Sequence, residues 1–391
     1  MDRRRFLAHA AAAPLLLHGA SLYAAPAADT RLLVVFMRGA YDCANLLVPA
    51  TSEFYYESRP NIAIPRDQAL PLADGWALHP ALADSLMPMY QRGELAFVPF
   101  AGTDDLSRSH FETQNSIEVG RAASARGNYR SGFLNRLSEV LSRDSRHPAS
   151  FTRDVPQIFR GELGVPNIDL GGGNRKSTLN EDRARTLARM YQGTDLGQSV
   201  DEGLQIAAQS EAMQKEMAQA NGKAVSTQTL AAQAERIGGF MADRYNIGFV
   251  DVGGWDTHVA QGGVNGNLAN NLGRLGQALA AYAKAMGPAW KNTTVVVISE
   301  FGRTFRENGN RGTDHGHGSV YWVLGGTVRG GRIAGRQVEV GHATLFQDRD
   351  YPVLNDYRAV FGGLFGKLYG LNARQLDTVF PGTRAQDLRL V

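Results

Sequence analysis

The sequence predicts an α/β fold, a mostly parallel central sheet with helices on both faces. Three observations predict it. Several short runs are apolar without alternation: Arg31–Met37, Leu95–Phe100, Ile247–Val252 and Val295–Ile298. A strand with no polar face belongs in a sheet covered on both sides, as parallel sheets are. Segments of helical spacing lie between the runs, the strongest from Leu268 to Met286 with Leu268, Leu272, Leu275, Leu279 and Tyr282 on one face. Strands alternating with helices imply crossover connections. Finally, carboxylates and imidazoles follow the strand ends, where open α/β sheets build their sites.

The chain has 391 residues, 43% hydrophobic and 20% charged, enough for a large core. Its 41 basic and 38 acidic residues leave a net charge of +3. That balance gives no reason to expect nucleic acid as a partner. Cys43 is the one cysteine, so an internal disulfide and a multi-cysteine metal site are excluded. A buried small residue is its expected role.

Arg3-Arg4-Arg5-Phe6-Leu7 precedes an Ala- and Leu-rich stretch that ends at Ala25-Pro26-Ala27. This resembles a twin-arginine (Tat) export signal, which implies passage through the Tat translocon and a periplasmic or extracellular location. Residues 1–27 are therefore set apart, and 28–391 is expected to be one α/β domain. No later stretch is long and apolar enough to span a membrane.

In chain order, Arg31–Met37 reads as the first core strand, with Asp42 and Asn45 near its end. Asp42 suits either a site ligand or an N-cap. A helix is expected to open at Leu78-His79-Pro80, with His79 as a hydrogen-bonded structural histidine. After Leu95–Phe100 comes a polar loop holding Ser107, Arg108, Ser109 and His110, then a helix from Glu112 to Val119. Ser107 or Ser109 is a candidate nucleophile, with helix capping as the commoner use of serine. Residues 121–160 read as a surface connection with a short helix at Gly132–Leu141, and Pro166–Leu170 as a weak strand. Ala, Gln, Glu, Arg and Met dominate about 180–237, which reads as a helical insertion.

Ile247–Val252 is the next strand, with Asp256 and His258 beyond it. Their two-residue spacing brings both side chains to one side of an extended segment. Val295–Ile298 leads to Glu300 and Arg303, a Gly- and Asn-rich loop leads to Asp314, His315 and His317, and Val320–Leu324 is another strand. His342 lies further on, and Asp356 starts a terminal helix. Such mixed carboxylate and imidazole sets suit Zn, Mn or Fe more than Ca.

The combination RGAYDxxN, LHPAL, SRSHFExQ, GGWDTHxxQ, SEFGRT and TDHGHG resembles a Tat-exported bacterial family of unknown function in the alkaline phosphatase and sulfatase superfamily. The resemblance covers nearly all of 28–391. It implies an alkaline-phosphatase-like fold binding one or two divalent ions (Zn, Mn, Fe or Ca). It also implies hydrolysis of small phosphate or sulfate esters. The ligands would be Asp42, Asp256, His258, Asp314 and His315, with His317 or His342 last and Glu300 in support. Ser109 or Ser107 would attack or position the ester, and Arg108 or Arg303 would neutralise the transferred group. The alternative is a non-catalytic envelope binding or assembly protein on the same fold, with a protein partner and a degraded site.

Overall fold

The computed structural model describes residues 29–125, 129–141, 147–170, 181–194 and 230–391, with Val200 and Leu204 between. The expected export signal lies outside the described residues, as does most of the expected insertion at about 180–237.

The strands are β1 Arg31–Met37, β2 Leu47–Val48, β3 Leu70–Pro71, β4 Ala77–Leu78, β5 Leu95–Gly102, β6 Pro148–Ser150, β7 Ile247–Val252, β8 Thr293–Ser299, β9 Ser319–Leu324, β10 Arg332–Ile333 and β11 Asn355–Asp356. The helices are α1 Cys43–Leu46, α2 Glu53–Ser58, α3 Met87–Gln91, α4 His110–Val119, α5 Phe133–Val140, α6 Glu181–Tyr191, α7 Leu230–Asp243, α8 Asn267–Met286, α9 Tyr357–Tyr369 and α10 Ala373–Val379.

One sheet has the order β10-β5-β9-β8-β1-β7-β6, with β11 also on β5, and a small sheet has the order β2-β4-β3. β1 pairs in parallel with β7 and β8, and β6 with β7. β9 is antiparallel to both β8 and β5. The sheet is thus mostly parallel, as the apolar runs predict.

β1 shows why those runs carry no polar face. Leu33, Val35 and Met37 point into one core, with Leu268, Leu272, Leu275 and Leu279 of α8. Leu32, Val34 and Phe36 point into the other, with Phe133, Leu134 and Leu137 of α5 and Phe361 and Phe365 of α9. Alternate residues leave opposite faces of a strand, so helices on both faces demand apolar residues at every position. Each large side chain buried this way contributes about 1.5–3 kcal/mol.

Three expectations need correction. Leu78 lies in β4, a 3-10 turn spans Pro80–Leu82, and the helix begins only at Met87. His79 caps that turn, its Nδ1 accepting from Ala81 N–H, which stops a continuous helix through this point. The 121–160 stretch is more than a surface connection, because Pro148–Ser150 forms the buried edge strand β6 and Phe151, Ile158 and Phe159 are buried. Pro166–Leu170 makes only a single bridge, Asn167 to Ser150, since β6 offers three residues and β7 already takes its other edge.

Candidate metal centre

Three segments meet beyond the sheet where β1, β7 and β8 end. The first is the start of α4. Ser109 is its N-cap, accepting from Glu112 N–H, and His110 is its first helical residue. The second is the loop after β7, which carries Asp256 and His258. The third is a pair of interleaved segments, 300–305 and 313–318, which exchange backbone hydrogen bonds: Gly302 N–H donates to His317 O, Gly316 N–H to Gly302 O and Thr304 N–H to Asp314 O.

These segments bring three imidazoles and one carboxylate together. His110 Nε2 lies 2.9 Å from His315 Nε2, and His258 Nε2 lies 3.1 Å from the same atom. Asp256 Oδ1 is 2.9 Å from His258 Nε2 and 3.5 Å from His315 Nε2, and Asp256 Oδ2 is 3.5 Å from His110 Nε2. Ligand atoms of His110, Asp256 and His315 all lie within 4.8 Å of one another, a set fit to hold a metal ion among the described residues. Phe301 packs behind the cluster, its ring centroid 5.0 Å from that of His110 and 5.2 Å from that of His315.

The outer nitrogens decide what the inner ones can do. His315 Nδ1 is 2.9 Å from Arg108 O, a carbonyl that can only accept, so Nδ1 carries the proton. His110 Nδ1 is 2.7 Å from Glu300 Oε1, and His258 Nδ1 is 3.1 Å from Asp314 Oδ1. Burial works to raise Glu300, but hydrogen bonds from His110, Gln114 and Gly39 N–H hold it below the usual carboxylate range. Asp314 is likewise held low against its burial, by Asn308 and His258. Both carboxylates are therefore ionised acceptors at neutral pH, which assigns a proton to each Nδ1.

The Nε2 atoms of His110 and His258 both face His315 Nε2, at 2.9 and 3.1 Å. Asp256 adds a carboxylate; burial works to raise it, while Arg303, His258 and His110 hold it low. Imidazoles whose second nitrogen donates to a carboxylate or carbonyl are the usual arrangement around bound transition metals. The nitrogens of His110 and His315 with the Asp256 carboxylate suit zinc, while calcium takes six to eight oxygens and does not fit.

A supporting shell lies behind His110. Glu300 Oε1 also accepts from Gln114 Nε2 at 2.9 Å and from Gly39 N at 2.8 Å. Gln114 Oε1 accepts from Arg38 Nη1 at 2.9 Å, and Arg38 pairs with Asp251 at 2.6 Å and Glu118 at 2.9 Å. Gly39 sits in the left-handed region, and a Cβ there would meet Asp256 N at 2.7 Å, so the β1 turn and the Asp256 loop touch backbone to backbone.

Of the residues the sequence singles out, Asp256, His258 and His315 meet in the cluster, and Asp314 and Glu300 orient imidazoles from outside it. Asp42 does not join them. It is buried, ion-paired with buried Arg59 at 2.5 Å, and accepts from Gln261 Nε2 at 2.6 Å. It also caps α1, so its oxygens are already engaged. His317 is buried against Phe346, with ring centroids 5.1 Å apart. Burial and the Arg108 charge push His317 down to about 4. His342 is exposed and bound to Asp348 at 2.9 Å.

The hydroxyls and arginines are also engaged elsewhere. Ser109 caps α4, while Ser107 Oγ is 3.3 Å from Thr113 Oγ1 and accepts from Ser109 N–H. Arg108 pairs with Asp350 at 2.6 Å and with Gln347. Arg303 is buried, held by Thr313 and Asp256, and compensates Asp256 instead of facing outward. Both arginines are thus paired with carboxylates, Arg108 with Asp350 and Arg303 with Asp256.

His110 is the cluster residue that the sequence does not mark as a candidate ligand. It stood in view in SRSHFExQ, but its serines drew the chemical reading. The capping rule held the signal: once Ser109 is the N-cap, the next residue starts the helix beside the strand end.

The profile of a family described as "Protein of unknown function (DUF1501)" matches residues 29–380. The chain belongs to this family. No curated protein matches this DUF1501 chain. Among solved structures, it is similar to the lipoteichoic acid synthase LtaP from Listeria monocytogenes at 8% identity and TM-score 0.39, covering 93% of this chain and 76% of that one. It is also similar to Ps i-CgsB at 13% identity and TM-score 0.38, covering 90% and 74%. A 2-O GAG sulfatase aligns at 10% identity and TM-score 0.34, covering 91% and 75%. Among the described residues, no helix is long and apolar enough to cross a membrane.

Proposed function

We propose that this DUF1501 protein is an exported, metal-dependent hydrolase of phosphate or sulfate esters that uses one ion. The convergence of His110, His258 and His315 Nε2 on Asp256, with each Nδ1 engaged by an acceptor, carries the reading. Calcium and a second ion, both open in the sequence, find no support: the donors are mainly nitrogen, and Asp42 is held by Arg59. Export rests on the twin-arginine segment.

In hydrolysis, the bond between the ester oxygen and phosphorus or sulfur breaks. Water oxygen bonds to that centre, and the departing alcohol takes a proton. A zinc ion in the cluster would supply Lewis acidity toward the ester oxygens and lower the pKa of water. The chain's own residues hold and orient. Glu300, Asp314 and the Arg108 carbonyl aim the three imidazoles, and Arg303 keeps Asp256 ionised. With Ser109 capping α4 and Ser107 Oγ bonded to Thr113 and to Ser109 N–H, the reading favours attack by water over attack by serine.

The test is calorimetric titration of chelator-treated protein with zinc, followed by assays with phosphate and sulfate monoesters. The expected result is one zinc per chain, lost in His110→Ala and His315→Ala, with turnover only in the loaded protein. Stoichiometry well below one, or binding unchanged in both variants, would sink the metal centre. The engagement of both serines favours a second reading, a non-catalytic envelope binding protein. Zinc binding without turnover of any ester, together with a stable co-purifying partner, would select it.

A further inference from the structure

Gln261 is fully buried, and its side-chain amide makes three bonds to three separate segments. Oε1 accepts from two hydroxyls, Thr257 Oγ1 at 2.8 Å and Thr313 Oγ1 at 3.0 Å. Nε2 donates to Asp42 Oδ2 at 2.6 Å. Thr257 belongs to the loop that carries Asp256, and Thr313 to the segment that carries His315. The backbones of these two segments are paired at the same place. Thr313 N–H donates to Thr257 O at 3.1 Å, Gln261 N–H to Arg311 O at 3.0 Å and Ala260 N–H to Asn310 O at 3.0 Å.

The bonds run in one direction. Arg303 can only donate, and its Nε donates to Thr313 Oγ1 at 3.1 Å. The Thr313 proton therefore turns to Gln261 Oε1, and the amide turns its N–H to the Asp42 carboxylate that Arg59 holds. At the other end, Arg303 Nη1 donates to Asp256 Oδ1. A buried chain thus runs from a carboxylate of the cluster through Arg303, Thr313 and Gln261 to Asp42. Sliding one loop past the other would strand a hydroxyl, an amide or a carboxylate away from water, and that cost resists the movement.

We propose that Gln261 is a positioning residue for the metal centre: anchored on Asp42, it sets the spacing of the two segments that bring Asp256 and His315 together. The inference rests on the metal-centre reading above. Asp42 then serves the centre through Gln261 without touching the ion.

The experiment measures two properties of the full chain. One is zinc affinity, by competition with a chromophoric chelator. The other is the visible absorption of the cobalt-loaded protein, which reports the geometry around the ion. Gln261→Met keeps a side chain of similar length and removes all three bonds. The expected result is a folded variant, by thermal melt, with zinc affinity lowered about tenfold, as for loss of other groups behind metal ligands, and with a shifted cobalt band. Thr257→Val and Thr313→Val each delete one hydroxyl link at nearly constant volume and should show the same two effects. Thr257→Ser and Thr313→Ser keep the hydroxyl and should keep wild-type values. Unchanged affinity and spectrum in Gln261→Met overturn the inference and leave the metal centre intact; if that variant does not fold, unchanged values in both valine variants do so. Equal losses in the valine and serine variants also overturn it, since packing would then be the cause. If the wild type takes up neither zinc nor cobalt, the metal centre falls and this inference with it.

Discussion

Glu300 shows how much of the site depends on a residue that touches no substrate. Buried at the end of β8, it accepts from His110 Nδ1, Gln114 Nε2, Gly39 N–H and Ser299 Oγ. Replacing it with glutamine keeps the volume but puts an amide where an ionised acceptor stood. We predict that Glu300→Gln weakens zinc binding about 10- to 100-fold, the usual cost of losing such a partner. Competition titration against a chromophoric chelator checks this, and an unchanged affinity would show that His110 is not oriented by Glu300. Asp42 illustrates the opposite case. Its sequence context allowed a ligand or a cap equally, and what decides is Arg59, seventeen positions on in the chain. No local pattern marks that pairing.

At the scale of elements, the site depends on how closely the 300–305 and 313–318 segments approach. A Cβ on Gly302 would fall 1.9 Å from Gly318 O, and one on Gly316 would fall 2.4 Å from the Arg303 carbonyl. Backbone cannot yield as a flexible side chain does. Gly302→Ala is therefore expected to push His315 away from His110, lowering the unfolding free energy by about 1–3 kcal/mol and zinc affinity at least tenfold. Urea unfolding and zinc titration of the variant measure the two effects, and wild-type values for both would refute the interleaved packing. SEFGRT and TDHGHG were legible as motifs. That they are two sides of one backbone ladder was not, because hydrogen bonds between segments leave no trace in either one.

For the whole molecule, pH reports on the buried histidines. His79 is buried where β2, β4 and the 261–266 turn meet; its Nδ1 accepts from Ala81 N–H, and its Nε2 lies 3.1 Å from Gly263 O. Burial lowers its pKa below the ordinary value, only partly offset by the Gly263 carbonyl and by Asp42. A second proton would have to enter at the nitrogen that faces a donor. The folded state thus prefers neutral His79, and the unfolded state takes up its proton first. This contribution is complete above the unfolded value of about 6.5 and declines as pH falls below it. We predict that the stability gap between wild type and His79→Asn narrows as pH is lowered from 7.5 through this region, as read by urea unfolding at successive pH values. A gap independent of pH would mean that His79 is neutral or charged alike in both states.

The sequence by itself determined the sheet and its two-sided burial. Unbroken apolar runs and helical spacing are local patterns, and β1, β7 and α8 fall where those patterns lie. It also placed Asp256, His258, Asp314 and His315 beyond strand ends. Only the tertiary structure decided which polar groups meet. It joined His110 to the cluster through the start of α4, gave Asp42 to Arg59, and turned His317 and His342 toward other partners. The physical reason is that a metal site is defined by convergence of atoms within about 5 Å. That convergence is set by contacts between residues far apart in the chain, 57 positions for His258 and His315 and 205 for His110 and His315, which composition and spacing do not record.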